Sequence, residues 1–203
     1  MDITEEILQQ AKTLFDSAGV VAEEGGVVLM LGLESTQERN LDEMALKGGR
    51  MRLYGWDKHV KPKMMTLIDI LTERKFKAEP VGWWGYPGGG VMQLKRLAVT
   101  AGLGQQGKHT LVLDPIFGGR LRLAAVRTDA PLTPTGPGIY EQRENPLCQS
   151  CNFCIDVCPV EGLLEPYRLL DPDRCLVNLE SVLVRDRQGE CREACRINCP
   201  IGR

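Results

Sequence analysis

Apolar residues recur at helical spacing near the start of the chain, where Ile3, Ile7, Leu8, Ala11, Leu14 and Phe15 share one stripe. This predicts a helix over residues 3–18, with Asp2 and Glu5 suited to a capping box and Gly19 to a stop. The run from Val27 to Leu33 is continuously apolar and too short for most helices, so it reads as a buried strand. Leu41 to Leu46 reads as a short helix ended by Gly48 and Gly49. From Pro62 onward Met64, Met65, Leu67, Ile68 and Leu71 mark another amphipathic helix, its methionines serving as core filler. A strand follows around Ala78–Trp83, then a helix over 91–101 with Val91, Leu94, Leu97, Ala98 and Ala101 inward. Thr110–Leu113 and Arg120–Val126 read as strands, the second with Arg120 and Arg122 on its solvated face.

Two glycine-rich stretches interrupt this pattern. Gly82-Trp83-Trp84-Gly85-Tyr86-Pro87-Gly88-Gly89-Gly90 is too rich in glycine to be regular structure. Its glycines allow close backbone approach and its aromatics offer apolar walls; a surface loop whose tryptophans cap the core explains it equally well. Gly102, Gly104 and Gly107 match the letters of a dinucleotide fingerprint. They follow a helix and precede a strand, the reverse of the context that motif needs, so a nicotinamide site is rejected. The prolines at 131, 134, 137 and 146 make residues 131–146 a stiff connector. It would divide a first domain, residues 1–130, from a second, residues 147–203.

Composition sharpens that division. All eight cysteines of the 203 residues lie after position 147. A net charge of -2 argues against a nucleic-acid-coating surface, and no apolar run approaches bilayer length. The acidic N-terminus lacks the regions of a signal peptide, and thiolates held for metal suit a reducing compartment, so a cytoplasmic location is expected.

Cys148, Cys151, Cys154 and Cys158, the last followed by Pro159, have the C-x2-C-x2-C-x3-C-P spacing of a bacterial 4Fe–4S half-site. Cys175, Cys191, Cys195 and Cys199, again ending in proline, supply what a second cluster needs. Zinc sites more often pair short C-x-x-C units and use histidine, and neither His59 nor His109 lies near the run. Asp171-Pro172 reads as the start of a helix carrying Cys175. The four-residue recurrence of Cys191, Cys195 and Cys199 would place all three near one helical face.

Ala101–Leu113, Leu123–Leu132, the cysteine run and Arg174-Cys175 together resemble epoxyqueuosine reductases, which share a cobalamin and iron–sulfur architecture with reductive dehalogenases. The resemblance is strong from about residue 91 to 200 and vague before. It implies an α+β fold: an N-terminal α/β sandwich-type domain that holds base-off cobalamin, followed by a two-cluster ferredoxin-like module. Carried over by position, one cluster takes Cys148, Cys151, Cys154 and Cys199, and the other takes Cys158, Cys175, Cys191 and Cys195. The proline-linked cysteine of each half then serves the opposite cluster. The corrinoid would lie against Trp83, Trp84, Tyr86, Gly88, Gly89 and Gly90, and against Gly102, Gly104, Gly107 and Lys108. Neither histidine is expected on cobalt. The chain departs from the family at Cys191 and Cys195, which are one residue further apart than the family's pair. It also stops before the family's C-terminal helical repeats, and it has Gly88 or a neighbour where the reductases carry an acidic proton donor. No catalytic residue is therefore assigned.

Three functions compete on these features. The first is a corrinoid-dependent redox protein, either a cobalamin-dependent oxidoreductase or a reducer of a corrinoid, served by an electron-donor protein and acting on a small molecule or corrinoid. The second is a ferredoxin-like carrier without an organic cofactor, and the third is a flavin-dependent reductase. Neither a membrane nor a nucleic acid is expected as partner.

Overall fold

A computed structural model of the chain describes residues 2–43, 45–47, 50–82, 93–141, 143–163, 165–168, 195–196 and 198–202. Its centre is a four-stranded antiparallel sheet in the order β1-β2-β8-β5, formed by β1 (Ser17–Glu23), β2 (Gly26–Glu34), β8 (Leu121–Thr128) and β5 (Ala78–Val81). The continuous apolar run becomes β2, an interior strand covered on both faces. Leu29, Leu31 and Leu33 point to one side, where they meet α1 (Ile3–Leu14) and α2 (Lys61–Glu73) through Ile7, Ala11, Met64, Leu67 and Leu71. Val28 and Met30 point to the other side, packing with Ala98 of α3 (Leu94–Thr100), Leu103 and Val112. A strand buried on both faces loses the alternation that would mark a half-exposed one.

The mixed α/β expectation is met, with local corrections. The first helix ends at Leu14, and Gly19 lies inside β1. A Cβ on Gly19 would collide with the Ala101 carbonyl, so this glycine lets the end of α3 approach the sheet. Asp2 occupies the N-cap position without a side-chain cap bond. The helix expected over 41–46 is replaced by a turn at Leu41 and Asp42 followed by β3 (Ala45–Lys47), which pairs with β4 (Arg50–Arg52). Leu41 is buried in the core, and the Asp42 carboxylate is drawn inward by arginines distant in sequence. The strand expected at 110–113 shortens to β7 (Val112–Leu113), hairpinned with β6 (Gln105–Gln106).

Residues 131–141 and 143–145 carry no helix or strand, yet they pack on the first part of the chain. The Thr135 hydroxyl accepts from Val20 N–H and donates to the Ala101 carbonyl. Thr133 N–H donates to the Thr4 hydroxyl, and Ala130 and Leu132 enter the core. No described helix is long and apolar enough to cross a membrane.

Candidate metal centre

The cysteine run opens with one turn of 3-10 helix, Pro146–Cys148. Asn145, itself buried, caps it: its side-chain oxygen accepts from Leu147 N–H at 3.0 Å. Its backbone N–H donates to the Tyr167 hydroxyl at 2.9 Å, and its amide reaches the Gln106 carbonyl at 3.3 Å. Cys148 N–H returns to the Asn145 carbonyl and Cys151 N–H to the Cys148 carbonyl, coiling the run. Cys154 sits in α4 (Phe153–Asp156), and Cys158 follows it, its sulfur accepting from Gly162 N–H at 3.3 Å.

Six of the eight cysteines fall within the described residues, and none of these six is in a disulfide. Cys175 and Cys191 lie outside them, as do Trp83, Trp84, Tyr86, Gly88, Gly89, Gly90 and the helix expected after Asp171. Cys148 and Cys199 are buried together against Leu113, with Ile201 beside them. Burial pushes the Cys154 thiol up to about 12, and the nearby thiols of Cys195, Cys148, Cys199 and Cys151 add to it in that order. Five sulfurs from two distant segments therefore share one neighbourhood. No group of three or more His, Cys, Asp or Glu converges as for a single ion among the described residues. A cubane spreads its thiolates over four irons, so it does not ask its ligands to meet at a point.

The turn after α3 reaches this neighbourhood from the other side. Lys108, expected at a macrocycle, is buried with its ammonium donating to Asn152 Oδ1 at 2.9 Å and to the Gln149 carbonyl at 3.4 Å, both inside the cysteine run. Its carbonyl accepts from Tyr167 N–H. Burial raises the Cys148 thiol, while the Lys108 backbone amide and the Lys108 charge pull it down. The bare faces of Gly102, Gly104 and Gly107 are turned to the chain itself. A side chain there would meet Gly136, the Leu113 backbone, and the Leu113 and His109 side chains, respectively. His109 is buried too; its Nδ1 accepts from Leu111 N–H at 3.2 Å, leaving the proton on Nε2. Burial, aided by the charges of Lys95 and Arg122, lowers it to about 4.

A second feature was invisible in the local pattern. Arg120 and Arg122, expected on a solvated face, are both engaged. Arg120 pairs with Glu34 at 2.8 Å and donates to the Gly202 carbonyl. Arg122 holds Asp42 through two bonds, 2.6 and 3.0 Å, and Arg196, next to Cys195, reaches the same carboxylate at 2.5 Å. Burial pushes the Asp42 carboxyl up, but Arg122, Arg196 and Ser35 together hold it below its ordinary value. At the adjacent turn, Gly118 and Gly202 press against each other's backbones, where neither could carry a side chain. These contacts fasten the Cys199 tail to β8 and the loop before it.

No family model matches the chain. An epoxyqueuosine reductase of Cyclobacterium marinum is 29% identical over 180 residues, covering 82% of this chain and 55% of that protein. A tetrachloroethene reductive dehalogenase of Dehalobacter restrictus is 37% identical over 83 residues, 40% of this chain and 15% of the relative. A crystal structure of epoxyqueuosine reductase with an epoxyqueuosine-modified tRNA-Tyr stem loop superposes with a TM-score of 0.69 at 18% identity, covering 98% of this chain and 64% of that one. The chain spans about half the length of the curated reductase it matches. Its fold is that of an epoxyqueuosine reductase, and by sequence it is a homologue of the epoxyqueuosine reductases and, over a shorter stretch, of the reductive dehalogenases.

Proposed function

We propose that the chain is an iron–sulfur redox protein that passes electrons through two 4Fe–4S clusters to a bound corrinoid, as a reductase or as a corrinoid-reducing protein. The observation that carries this reading is the gathering of Cys148, Cys151, Cys154, Cys195 and Cys199 into one thiol neighbourhood lined by a buried lysine. A disulfide gives no reason for five sulfurs and a cation to be held together, and a single zinc site takes four thiolates; two adjacent clusters account for all five.

In this reading Cys148, Cys151, Cys154 and Cys199 hold the first cluster, supported by the burial of Cys148 and Cys199 against the same leucine. Cys158, Cys175, Cys191 and Cys195 hold the second, and the closeness of Cys195 to Cys154 would make the two clusters neighbours. Residues 147–203 form the cluster module and residues 1–130 the corrinoid domain, with 131–146 as connector. A corrinoid when bound would accept the electrons and supply the reducing metal. Trp83, Trp84, Tyr86 and Gly88–Gly90 would form its walls. Gly102, Gly104 and Gly107 would shape the turn beside it, which holds Lys108 to the cysteine run.

The test is to purify the protein without oxygen, supply cobalamin, desalt, and record the spectrum. Iron–sulfur absorption with retained corrinoid bands is expected. A broad iron–sulfur shoulder alone would leave a plain electron carrier, and flavin bands would select a flavin reductase.

A further inference from the structure

Lys108 is 7% exposed. An ammonium removed from water to that degree is costly unless it meets negative charge. Among the described residues it has no carboxylate partner, only the Asn152 amide oxygen and the Gln149 carbonyl, both neutral. It is also held by its own backbone: its carbonyl accepts from Tyr167 N–H, and its amide acts on the Cys148 sulfur. A buried cation is thus fixed against the Cys148–Cys154 loop, with no carboxylate opposite it among the described residues. Four thiolates on a cubane leave that group anionic in both oxidation states, and more so after it gains an electron. Net charge and hydrogen bonds to sulfur are two of the levers that set a cluster's potential.

We propose that Lys108 is the counter-charge of the first cluster, a positioning residue that favours its reduced state and so sets the direction of electron flow through it. This rests on the reading of Cys148, Cys151, Cys154 and Cys199 as cluster ligands. The fixed charge is worth more to the reduced, more anionic form than to the oxidised one. Its removal lowers the potential, whereas a change that keeps the charge does not.

The experiment uses the full chain with its clusters assembled without oxygen, titrated with dithionite and mediator dyes while each cluster is followed by electron paramagnetic resonance. Lys108→Met removes the charge, Lys108→Gln removes it while keeping a donor for Asn152, and Lys108→Arg keeps it. For one of the two clusters, both neutral variants should lower the reduced-to-oxidised ratio at a fixed applied potential by about tenfold. This is about 59 mV for a one-electron couple. Arg should hold the ratio near that of the unaltered protein. If Met fails to retain iron, Gln decides. The proposal is overturned if the neutral variant that retains iron keeps both potentials, or if Arg shifts as far as Met. It is also overturned if both neutral variants lose iron, since that marks a purely structural role. Failure of the cluster reading itself looks different: the unaltered protein then takes up no cluster in the first step.

Discussion

Asp42→Asn is the most revealing stability change available in this fold. The carboxylate is 4% exposed and faces two guanidiniums, Arg122 at 11% and Arg196 at 8%. It also accepts from the Ser35 hydroxyl at 3.0 Å. An asparagine is neutral and offers one acceptor oxygen where the carboxylate offers two. Two buried guanidiniums would then lose the negative charge they share. Breaking a buried ion pair by removing one partner costs ~3–5 kcal/mol, against ~0–1 kcal/mol for an exposed pair. The upper range is expected here, because one substitution takes the shared carboxylate charge from two arginines. Urea unfolding of the full chain, with the denaturant slope checked for constancy, reads the cost. Because Arg196 adjoins Cys195 and Arg120 holds Gly202, the variant should also keep less iron than the unaltered protein. Glu6→Gln is the control: its Arg74 partner is equally close, but the two side chains are 38% and 30% exposed, and the midpoint should barely move. A loss below ~1 kcal/mol for Asp42→Asn would refute the reasoning, since it would mean that the trio behaves as a solvated surface pair.

Other outcomes follow from the same structure. His109 binds its proton at about 4 in the fold and at 6.5 ordinarily, so below pH 6.5 the unfolded chain takes up a proton that the folded chain refuses. Stability should be full above 6.5 and fall by ~3 kcal/mol as pH drops to about 4. His109→Asn, which keeps an acceptor for Leu111 N–H, should flatten that part of the pH–stability curve. Asp42 is lowered instead, so its contribution is present above 3.8 and is lost only as pH falls through its still lower folded value. Gly118→Ala combines a positive φ of 56° with a collision against the Ile201 backbone. It should cost more than ~2 kcal/mol and loosen the Cys199 tail, whereas Gly138→Ala, at φ 74° but in open space, should cost only ~1–2 kcal/mol in the same unfolding assay. Cys175→Ser should remove about half of the bound iron, measured by colorimetric iron assay; loss of none would refute its place as a ligand.

The sequence was legible where local pattern and tertiary environment agree. β2 announced itself because both of its faces are buried, and α2 because Met64, Leu67, Ile68 and Leu71 recur at helical spacing on its core side. β1 was missed because Gly19 reads as a helix stop, whereas its role is to admit the Ala101 carbonyl from α3. The turn at Leu41 and Asp42 reads as a helix in sequence because its determinant, Arg122, is 80 residues away. The same distance hid the role of Arg122, whose alternation with apolar neighbours resembles a wet strand face. The spacing of Cys148, Cys151 and Cys154 marks a candidate metal centre, and the resemblance adds Cys199, which is buried beside Cys148. Lys108 stands out in its turn, but its bonds to Gln149 and Asn152, 41 and 44 residues on, leave no trace in the local pattern.

The central claim is an interlocked pair of four-iron clusters, and iron stoichiometry with spin quantitation on anaerobically purified protein tests it most directly. The account predicts ~8 iron atoms per chain and two interacting reduced-cluster signals. Four irons or fewer, with a single isolated signal, would contradict it.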